Sequence, residues 1–384
     1  MRDVYAIGVG IHRFGELWDM SLRDLFGAAA LAALDDAGVE EVDAAVVGCM
    51  ASGPFVGQDH LAPLCAEAIG LLPTPVIRVE AACGSGGLAL RQGFVEVASG
   101  VSDVVLVAGV EKMTDVDGAA ATDILATAAD QEAEVFHGVS FPALNAMMAR
   151  AHMERYGTTP EQLARVAVKN HENGVANPDA HFRMRIDVEQ VLSAQRVAEP
   201  LGVLDCAPRS DGAACLVLCP AELARSAGRP VVRLAGTGYA TDTLALHSRA
   251  DLTTLASTTR AAAAAYGMAG ISPPRIDVAE LHDAFTITEI IALEALGLVD
   301  AGQGGPATER GETALDGRVP VNPSGGLKAR GHPVGATGVA QAVEIVRQLR
   351  GEAGGRQVRD ARVGLTHNVG GVGGTSFVHI FSAC

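Results

Sequence analysis

Short apolar runs alternate along the chain with alanine-rich stretches whose apolar positions recur at helical spacing. This alternation predicts an α/β fold with mainly parallel strands. A first series of elements comprises strands at Val4–Val9, Ala44–Val47, Val76–Val79, Val104–Ala108 and Cys215–Leu218, with helices at Ser21–Ala37 and Gly84–Ala98. A second series comprises strands at Val231–Leu234, Ile276–Leu281, Val319–Val321, Val363–Thr366 and Thr375–Phe381, with helices at Thr254–Tyr266 and Gly335–Leu349.

The two series follow the same order, which indicates an internal duplication. We therefore predict two halves, residues 1–225 and 226–384. They should pack on each other, because neither half alone would bury both faces of its sheet. The first half contains a long polar excursion, residues 114–208, with an amphipathic helix at Pro160–Asn173. This excursion either covers a site, forms a subunit contact, or is a long irregular surface insertion.

Composition and charge narrow the class of protein. The chain has 384 residues, of which 48% are hydrophobic and 19% charged, so it can bury a large core and is not disordered. Its net charge of −16 disfavours binding to nucleic acid or to an anionic membrane surface. No apolar run approaches the roughly 18 residues of a membrane span, and no signal-peptide pattern is visible. Seven cysteines without a Cys-x-x-Cys pair predict reduced thiols, a cytoplasmic location and no metal site.

The first candidate for chemistry is Cys83, in the small-residue run EAACGSGG (residues 80–87) between a predicted strand and a predicted helix. Free backbone N–H groups and the positive end of a helix dipole lower the pKa of a thiol at such a position. The alternative is a buried structural cysteine. That alternative fits the other six cysteines better, for example Cys215 and Cys219, which lie in or beside a strand.

Three more segments place histidine or glycine at the ends of predicted strands. His282 lies in LHDAF (residues 281–285), and His332 lies in GHPVGATG (residues 331–338) directly before a helix. His282 is a hydrogen-bond donor, a base or a structural histidine. The run HNVGGVGG (residues 367–374) forms an anion or oxyanion site or a tight turn. It is not a dinucleotide loop, because no helix follows it.

Together these segments point to covalent acyl transfer. Reacting groups in α/β sheets gather at strand ends, and a thiolate with a histidine that takes its proton is the basic equipment of that chemistry. In order and spacing, the segments resemble the thiolases over essentially the whole chain. HMERYG (residues 152–157) and SDGAA (residues 210–214) fit as well. The His-Asp-Ala-Phe sequence at 282–285 resembles the sterol-carrier-type and archaeal-type branch.

The resemblance implies a thiolase fold, in which two duplicated βαβαβ-type halves form a five-layered α-β-α-β-α sandwich with residues 114–208 as the loop region. It implies a homodimer or homotetramer. Coenzyme A would enter as an acyl thioester substrate, with no permanently bound cofactor. Its pocket is expected over the loop region and roughly residues 249–266.

The resemblance also assigns roles to individual residues. Cys83 would take the acyl group from coenzyme A, and His332 would accept the thiol proton. His332 and His282 would face the thioester oxygen of the acyl acceptor. The backbone N–H groups of Cys83 and Gly370 would form the oxyanion hole, in the same loop as Asn368.

One departure concerns the second cysteine of thiolases, which moves the α-proton of the acceptor. Ordinary thiolases carry it at the position that matches Asn368, and sterol-carrier-type enzymes carry it at the position that is Ala284 here. Cys384 lies past the last predicted strand. The first half reaction is therefore better supported than the carbon–carbon step.

Three functions stay open. The leading prediction is an acyl-CoA acyltransferase, either a condensing thiolase with His282 as base or a transferase to an acceptor that needs no such base. Similar proteins work with a small OB-fold, zinc-containing partner. A retro-aldol lyase acting on steroid side-chain CoA thioesters is disfavoured, because similar aldolases rely on tyrosines, of which this chain has only four, and do not need the cysteine that it retains at position 83. A non-catalytic lipid carrier or scaffold subunit is disfavoured by the intact Cys83–His332 pair.

Overall fold

The computed structural model describes residues 1–225 and 230–384. The strands are β1 (Val4–Ile11), β2 (Ala44–Gly48), β3 (Val76–Val79), β4 (Val105–Glu111), β5 (Arg196–Ala198), β6 (Leu201–Gly202), β7 (Gly212–Pro220), β8 (Val232–Thr241), β9 (Val278–Glu280), β10 (Val363–Gly370) and β11 (Thr375–Ala383). The helices are α1 (Leu22–Ala37), α2 (Ser52–Val56), α3 (Leu61–Ala68), α4 (Ser85–Ser99), α5 (Gly118–Ala126), α6 (Phe141–Tyr156), α7 (Pro160–Val175), α8 (Val188–Ser193), α9 (Ala221–Ala224), α10 (Ala256–Ala269), α11 (Thr286–Ala295), α12 (Gly304–Glu309), α13 (Gly326–Arg330) and α14 (Thr337–Arg350). The boundary predicted at residue 226 lies outside the described residues and stays a prediction.

The strand order repeats between the two parts of the chain. The main sheet has the order β3-β2-β4-β7-β1-β8-β11-β10-β9. The first five strands form one half-sheet. The other four strands form a second half-sheet, and a bridge from Ala279 to Val321 lies at its far edge. Counted outward from the β1–β8 pairing, the second half-sheet has its strands in the same order as the first. The sheet therefore has the internal symmetry that the predicted duplication requires.

The sheet is mixed, and the prediction of mainly parallel strands is wrong. Pairings β2–β3, β2–β4 and β9–β10 are parallel, and the remaining pairings of the main sheet are antiparallel. One cause is visible at the second half's end, where β10 and β11 are joined by the tight turn at residues 371–374. Two strands joined by so short a turn form a hairpin and must run antiparallel.

The layers follow from which face of each half-sheet each helix covers. One core joins α4 and α14 to both half-sheets, with Phe94 and Val343 among its members. A second core packs α1 and α3 against the outer face of the first half-sheet, and a third packs α10 and α11 against the outer face of the second. The order is thus helices, sheet, helices, sheet, helices. The predicted α/β, five-layered architecture is confirmed.

The excursion at residues 114–208 is mostly helical, and the alternative of an irregular insertion is wrong. Helix α7 begins at a capping box between Thr159 and Gln162, with Pro160 in its first turn. Helices α6 and α11 share a further apolar core with Leu144 and Ile291. The excursion therefore packs on the second half of the chain.

Candidate active site

Cys83 lies in the turn between β3 and α4, and this turn is held in an uncommon conformation. The preceding residue, Ala82, has φ of 52°, in the left-handed region that costs an L-residue about 1–2 kcal/mol. The Ser85 hydroxyl accepts a hydrogen bond from the Ala81 N–H at 2.9 Å and donates one to the Ala82 carbonyl at 2.6 Å. These two bonds clamp the backbone on both sides of the strained residue, so the position of Cys83 is fixed.

The surroundings of the Cys83 thiol raise its pKa to about 12, opposite to the predicted lowering. Burial is the largest cause, because it disfavours the charged thiolate, and the Glu111 carboxylate adds to it. The backbone N–H groups of Gly371 and of Cys83 itself point at the sulfur and act in the other direction. The resting group is therefore a neutral thiol with two amide donors beside it.

His332 lies in the segment between α13 and α14, two residues after the end of α13. Its Nδ1 lies 2.7 Å from the Thr337 hydroxyl, which itself donates to the Pro333 carbonyl at 3.1 Å. Its Nε2 is buried and has no hydrogen-bond partner among the described residues. Burial, and then the Arg330 guanidinium, lower the pKa of His332 to about 3, so the ring is neutral.

His282 follows β9 and points into the same place. Its ring and that of His332 have centroids 5.1 Å apart and planes at 84°. Its Nδ1 lies 3.1 Å from Nδ2 of Asn368, at the end of β10. Burial, followed by the neighbouring imidazoles of His332 and His367, holds the pKa of His282 well below its ordinary value.

Glu111, at the end of β4, connects the two halves beneath the site. The carboxylate is fully buried and accepts hydrogen bonds from the N–H groups of Met50, Ala51 and Gly335 at 2.8, 3.1 and 3.1 Å. The Cys49 thiol also donates to it at 3.3 Å. Gly335 lies in the same turn as His332. The Glu111 carboxylate therefore holds that turn against the first half of the chain.

The candidate residues converge on one cavity of about 100 Å³. Polar groups of Cys83, His282 and His332 share it with Gly371. The rest of the wall is largely apolar and includes Met113, Leu125, Phe141, Ala284, Phe285 and Val334. Part of that wall comes from residues 114–208, so the predicted role of the excursion as a cover for the site fits the structure.

Other predicted positions fall around this cavity or away from it. Gly370 pairs with Thr375 in the sheet, and the next residue, Gly371, presents its N–H to the thiol. The guanidinium of Arg249, where coenzyme A is expected, donates at 2.6 Å to the carbonyl of Val372 in the glycine turn. Cys384 is exposed and follows the opposite end of β11, about 30 Å of strand from the cavity.

Three residues of the site were not identified from the sequence. They are Ser85, which clamps the cysteine turn, Thr337, which holds one imidazole, and Glu111. Only Glu111 could have been identified from the sequence, because it is an acidic residue at the end of an otherwise apolar strand, which the structure shows to be fully buried. The other two are ordinary polar residues in the first turn of a helix.

Comparisons with known proteins fit this geometry. Residues 6–222 match the family described as thiolase, N-terminal domain, and residues 238–383 match the thiolase C-terminal domain-like family. The chain belongs to the thiolase family. The prediction of a thiolase-type acyltransferase is thereby confirmed at the level of the family.

Individual thiolase-family relatives are similar over the whole chain. Acetyl-CoA acetyltransferase of Methanothermobacter thermautotrophicus is 56% identical over 384 residues, which is 100% of both chains. Sterol carrier protein 2 of Bos taurus is 35% identical over 98% of this chain and 72% of its own. The solved Ltp2-ChsH2(DUF35) aldolase is 26% identical, with a TM-score of 0.86 over 99% of this chain and 98% of the solved one. Both of the branches named in the sequence prediction are therefore represented among its relatives.

Proposed function

We propose that this thiolase transfers a short acyl group from acyl-CoA, through a thioester on Cys83, to an acyl acceptor. The observation that carries the proposal is the convergence on one small apolar cavity of a thiol, an imidazole with an unpartnered Nε2, and two backbone N–H groups. A nucleophile, a base and an oxyanion site are the three parts that acyl transfer requires.

In the first half reaction, His332 Nε2 takes the proton of the Cys83 thiol as the sulfur attacks the thioester carbonyl. Both groups are neutral at rest, so the proton moves during the attack rather than before it. The N–H groups of Cys83 and Gly371 receive the negative oxygen, and such a donor typically contributes a factor of ~10²–10³ in rate. The imidazolium then returns the proton to the departing thiolate of coenzyme A.

The size of the cavity favours an acetyl group. A cavity of about 100 Å³ is smaller than the roughly 300–1,000 Å³ clefts that hold drug-sized ligands, so it suits a small acyl group. A two-carbon acyl chain suits such a space, whose lining includes the aromatic rings of Phe141 and Phe285. The relative with 56% identity is named acetyl-CoA acetyltransferase, which supports the same substrate class.

The acceptor step distinguishes this chain from better-known thiolases. The position that carries cysteine in the sterol-carrier-type pattern is Ala284, whose side chain lines the cavity. An acetoacetyl-CoA-forming condensation and a transfer to an acceptor that needs no carbon deprotonation both remain within the proposal. The aldolase relative raises retro-aldol cleavage as a second reaction. No tyrosine of the described residues lines the cavity, so we retain acyl transfer.

We propose further that the protein acts as a homo-oligomer, with a second small protein, in the cytoplasm. The solved aldolase relative is a complex with a ChsH2(DUF35) component, and the family resemblance points to an OB-fold, zinc-containing partner. Strand β3 is an edge of the main sheet, and Ile77 on it is 43% exposed, which suits pairing between subunits. Among the described residues, no helix is long and apolar enough to cross a bilayer.

The test is intact-mass spectrometry after mixing the protein with acetyl-CoA. The wild type should gain one acetyl group per chain, and peptide mapping should place it on Cys83. Cys83→Ala should gain none, whereas Cys206→Ala, which removes a half-buried thiol outside the cavity lining, should gain one as the wild type does. An adduct that persists in Cys83→Ala would contradict the assignment.

A further inference from the structure

The three hydrogen bonds of Asn368 fix which way its side-chain amide faces. The N–H of Gly87 can only donate, and it lies 2.9 Å from Oδ1. The carbonyl of Cys83 can only accept, and it lies 3.0 Å from Nδ2. Exchanging the two ends of the amide would place donor against donor and acceptor against acceptor, so the orientation is unambiguous.

The orientation of this amide determines the proton position on His282. The second N–H of Asn368 Nδ2 points at His282 Nδ1, 3.1 Å away. An N–H donor requires a lone pair on the ring nitrogen that it meets. Since the buried ring is neutral, its single proton must then be on Nε2. Nε2 makes no hydrogen bond within residues 1–225 and 230–384, and the ring lines the cavity.

His332 carries its proton on the other nitrogen. The Thr337 hydroxyl uses its only proton for the Pro333 carbonyl, so it accepts from His332 Nδ1. The lone pair of His332 is therefore on Nε2, which is buried without a partner. The two perpendicular rings thus offer one donor and one acceptor to the same cavity.

Strand pairing places the amide of Asn368 beside His282, where it can determine the tautomer of the ring. In the first half, Glu111 follows Met50 by 61 positions, the offset at which β2 and β4 pair. In the second half, Asn368 follows His282 by 86 positions, the offset at which β9 and β10 pair. Each side chain reaches across to the other half, Glu111 toward the start of α14 and Asn368 toward α4. Asn368 thus occupies in the second half the position that Glu111 occupies in the first.

We infer that Asn368 is a positioning residue that holds His282 as its Nε2–H tautomer, so that His282 donates a hydrogen bond to a substrate oxygen and takes no proton there. Its effect on catalysis rests on the proposed function, whereas the tautomer itself does not. Of the roles that the sequence left open for His282, this selects the donor and excludes the base.

Because His282 is then not a base, His332 must make both proton transfers of a condensation, from the Cys83 thiol and from the acceptor. After acylation it is again neutral, because the thiol proton has left with coenzyme A. Its Nε2 takes an α-proton of the acceptor thioester, and the C–H electron pair forms an enolate whose oxygen His282 Nε2–H stabilises. The enolate carbon bonds to the acyl carbon, the bond to the Cys83 sulfur breaks, and the sulfur recovers the proton from His332.

The direct test is the ¹⁵N NMR spectrum of the whole protein labelled in its 11 histidines. The His282 signals are assigned as those that vanish in His282→Gln. In the wild type, Nδ1 should be unprotonated and Nε2 protonated. In Asn368→Asp, which keeps the shape but replaces the donor by an acceptor, the proton should move to Nδ1. Asn177→Asp removes a comparable buried amide bond to the Ser324 carbonyl, and it should leave the tautomer unchanged.

Kinetics separate a positioning role from a merely structural one. Because Asn368 also donates to the Cys83 carbonyl, Asn368→Asp should slow acetylation of Cys83 as well, but by a smaller factor than it slows the carbon–carbon step. It should slow acetoacetyl-CoA thiolysis by ~10²–10³, the typical cost of one lost oxyanion donor. A protonated Nδ1 in wild-type His282, or equal loss of both half reactions in a folded Asn368→Asp, would overturn the inference. Absence of any acetyl adduct in wild type would instead contradict the proposed function, and the wild-type tautomer would still be decided by NMR.

Discussion

Burial and the helix N-terminus act on Cys83 in opposite directions, and burial has the larger effect. A pKa of about 12 leaves roughly one thiol in 10⁵ ionised at pH 7. His332 does not change this at rest, because its own pKa of about 3 leaves it uncharged and unable to stabilise a thiolate as an ion pair. The site therefore generates its nucleophile only when a substrate is attacked.

The first prediction follows from this neutral pair. Alkylation of Cys83 by iodoacetamide should be slow at pH 7 and rise about tenfold per pH unit up to pH 10, because the thiolate fraction rises in that proportion below the pKa. Mass spectrometry of the digest gives the rate, with the exposed Cys384 as internal reference. A rate that levels off below pH 8 would show a preformed thiolate. His332→Ala should change this profile little while slowing acetyl transfer by ~10²–10⁴.

The second prediction concerns Ala284, whose side chain lines the cavity. Ala284→Cys should raise acetoacetyl-CoA thiolysis if a missing thiol limits the carbon–carbon step, and should leave Cys83 acetylation unchanged. The added sulfur should cost at most ~1–3 kcal/mol in stability. The control is Cys83→Ala combined with Ala284→Cys, which must stay inactive. No gain in a folded single variant would indicate that His332 already moves this proton or that the acceptor needs no such base.

At the scale of elements, the site depends on how closely α4 and α14 approach. A Cβ on Gly86 would lie 2.8 Å from the Gly338 nitrogen and 2.9 Å from the Gly335 carbonyl. Only glycine permits this backbone contact, and it sets the distance between the turns that carry Cys83 and His332. The two catalytic candidates thus lie at the N-termini of the two central helices, one from each half.

The third prediction tests this contact. Gly86→Ala should push the central helices apart, lower the free energy of unfolding by ~1–3 kcal/mol and slow Cys83 acetylation by at least tenfold. Urea unfolding and the acetylation rate measure the two effects. Gly267→Ala, on α10 with nothing within 4 Å of the new Cβ, should be neutral or stabilise by ~0.5–1 kcal/mol. Wild-type acetylation in Gly86→Ala would show that the helix spacing is not critical.

The sequence predicted most elements because their patterns are local. β1 was expected over Val4–Val9 and extends to Ile11, and the last long helix agrees to within two residues at each end. Val319–Val321 is not a strand, since Pro320 lacks the N–H that a ladder needs, and only Val321 makes a bridge. Helix α11 was missed because its residues from Thr286 to Leu293 are buried on all sides, which leaves no amphipathic period.

The site was predictable only in part. The junctions of strand and helix drew attention to Cys83 and His332, and the family resemblance supplied their pairing. Their supporting contacts join residues far apart in sequence, such as the bond from Gly87 to Asn368 across 281 positions. Whether the pKa of Cys83 is raised or lowered also depends on how deeply the thiol is buried. A helix N-terminus predicted from the sequence carries no information about that burial. Such features arise only when the two halves pack.

At the scale of the whole molecule, the two halves share one continuous sheet. Val4 and Ala6 of β1 pair with Leu234 and Val232 of β8, so the first half-sheet is bonded directly to the second. The cavity lies where the turns that precede the central helices of both halves meet residues 114–208. Any partner that packs near this junction can alter the enclosure of the site without contacting the reacting atoms.

The last prediction concerns the isolated chain. His332 is the one imidazole of the pair that accepts a proton, and with a pKa of about 3 it is a weak base for removing a proton from carbon near neutral pH. The purified chain should therefore acetylate Cys83 at least ~10²-fold faster than it converts two acetyl-CoA into acetoacetyl-CoA, as followed by chromatography of the CoA thioesters. A small partner protein that closes the cavity should raise the second rate and leave the first unchanged. A condensation rate within tenfold of the acetylation rate in the chain alone would contradict the prediction, because it would show that substrate binding by itself raises the basicity of His332 enough for the carbon–carbon step.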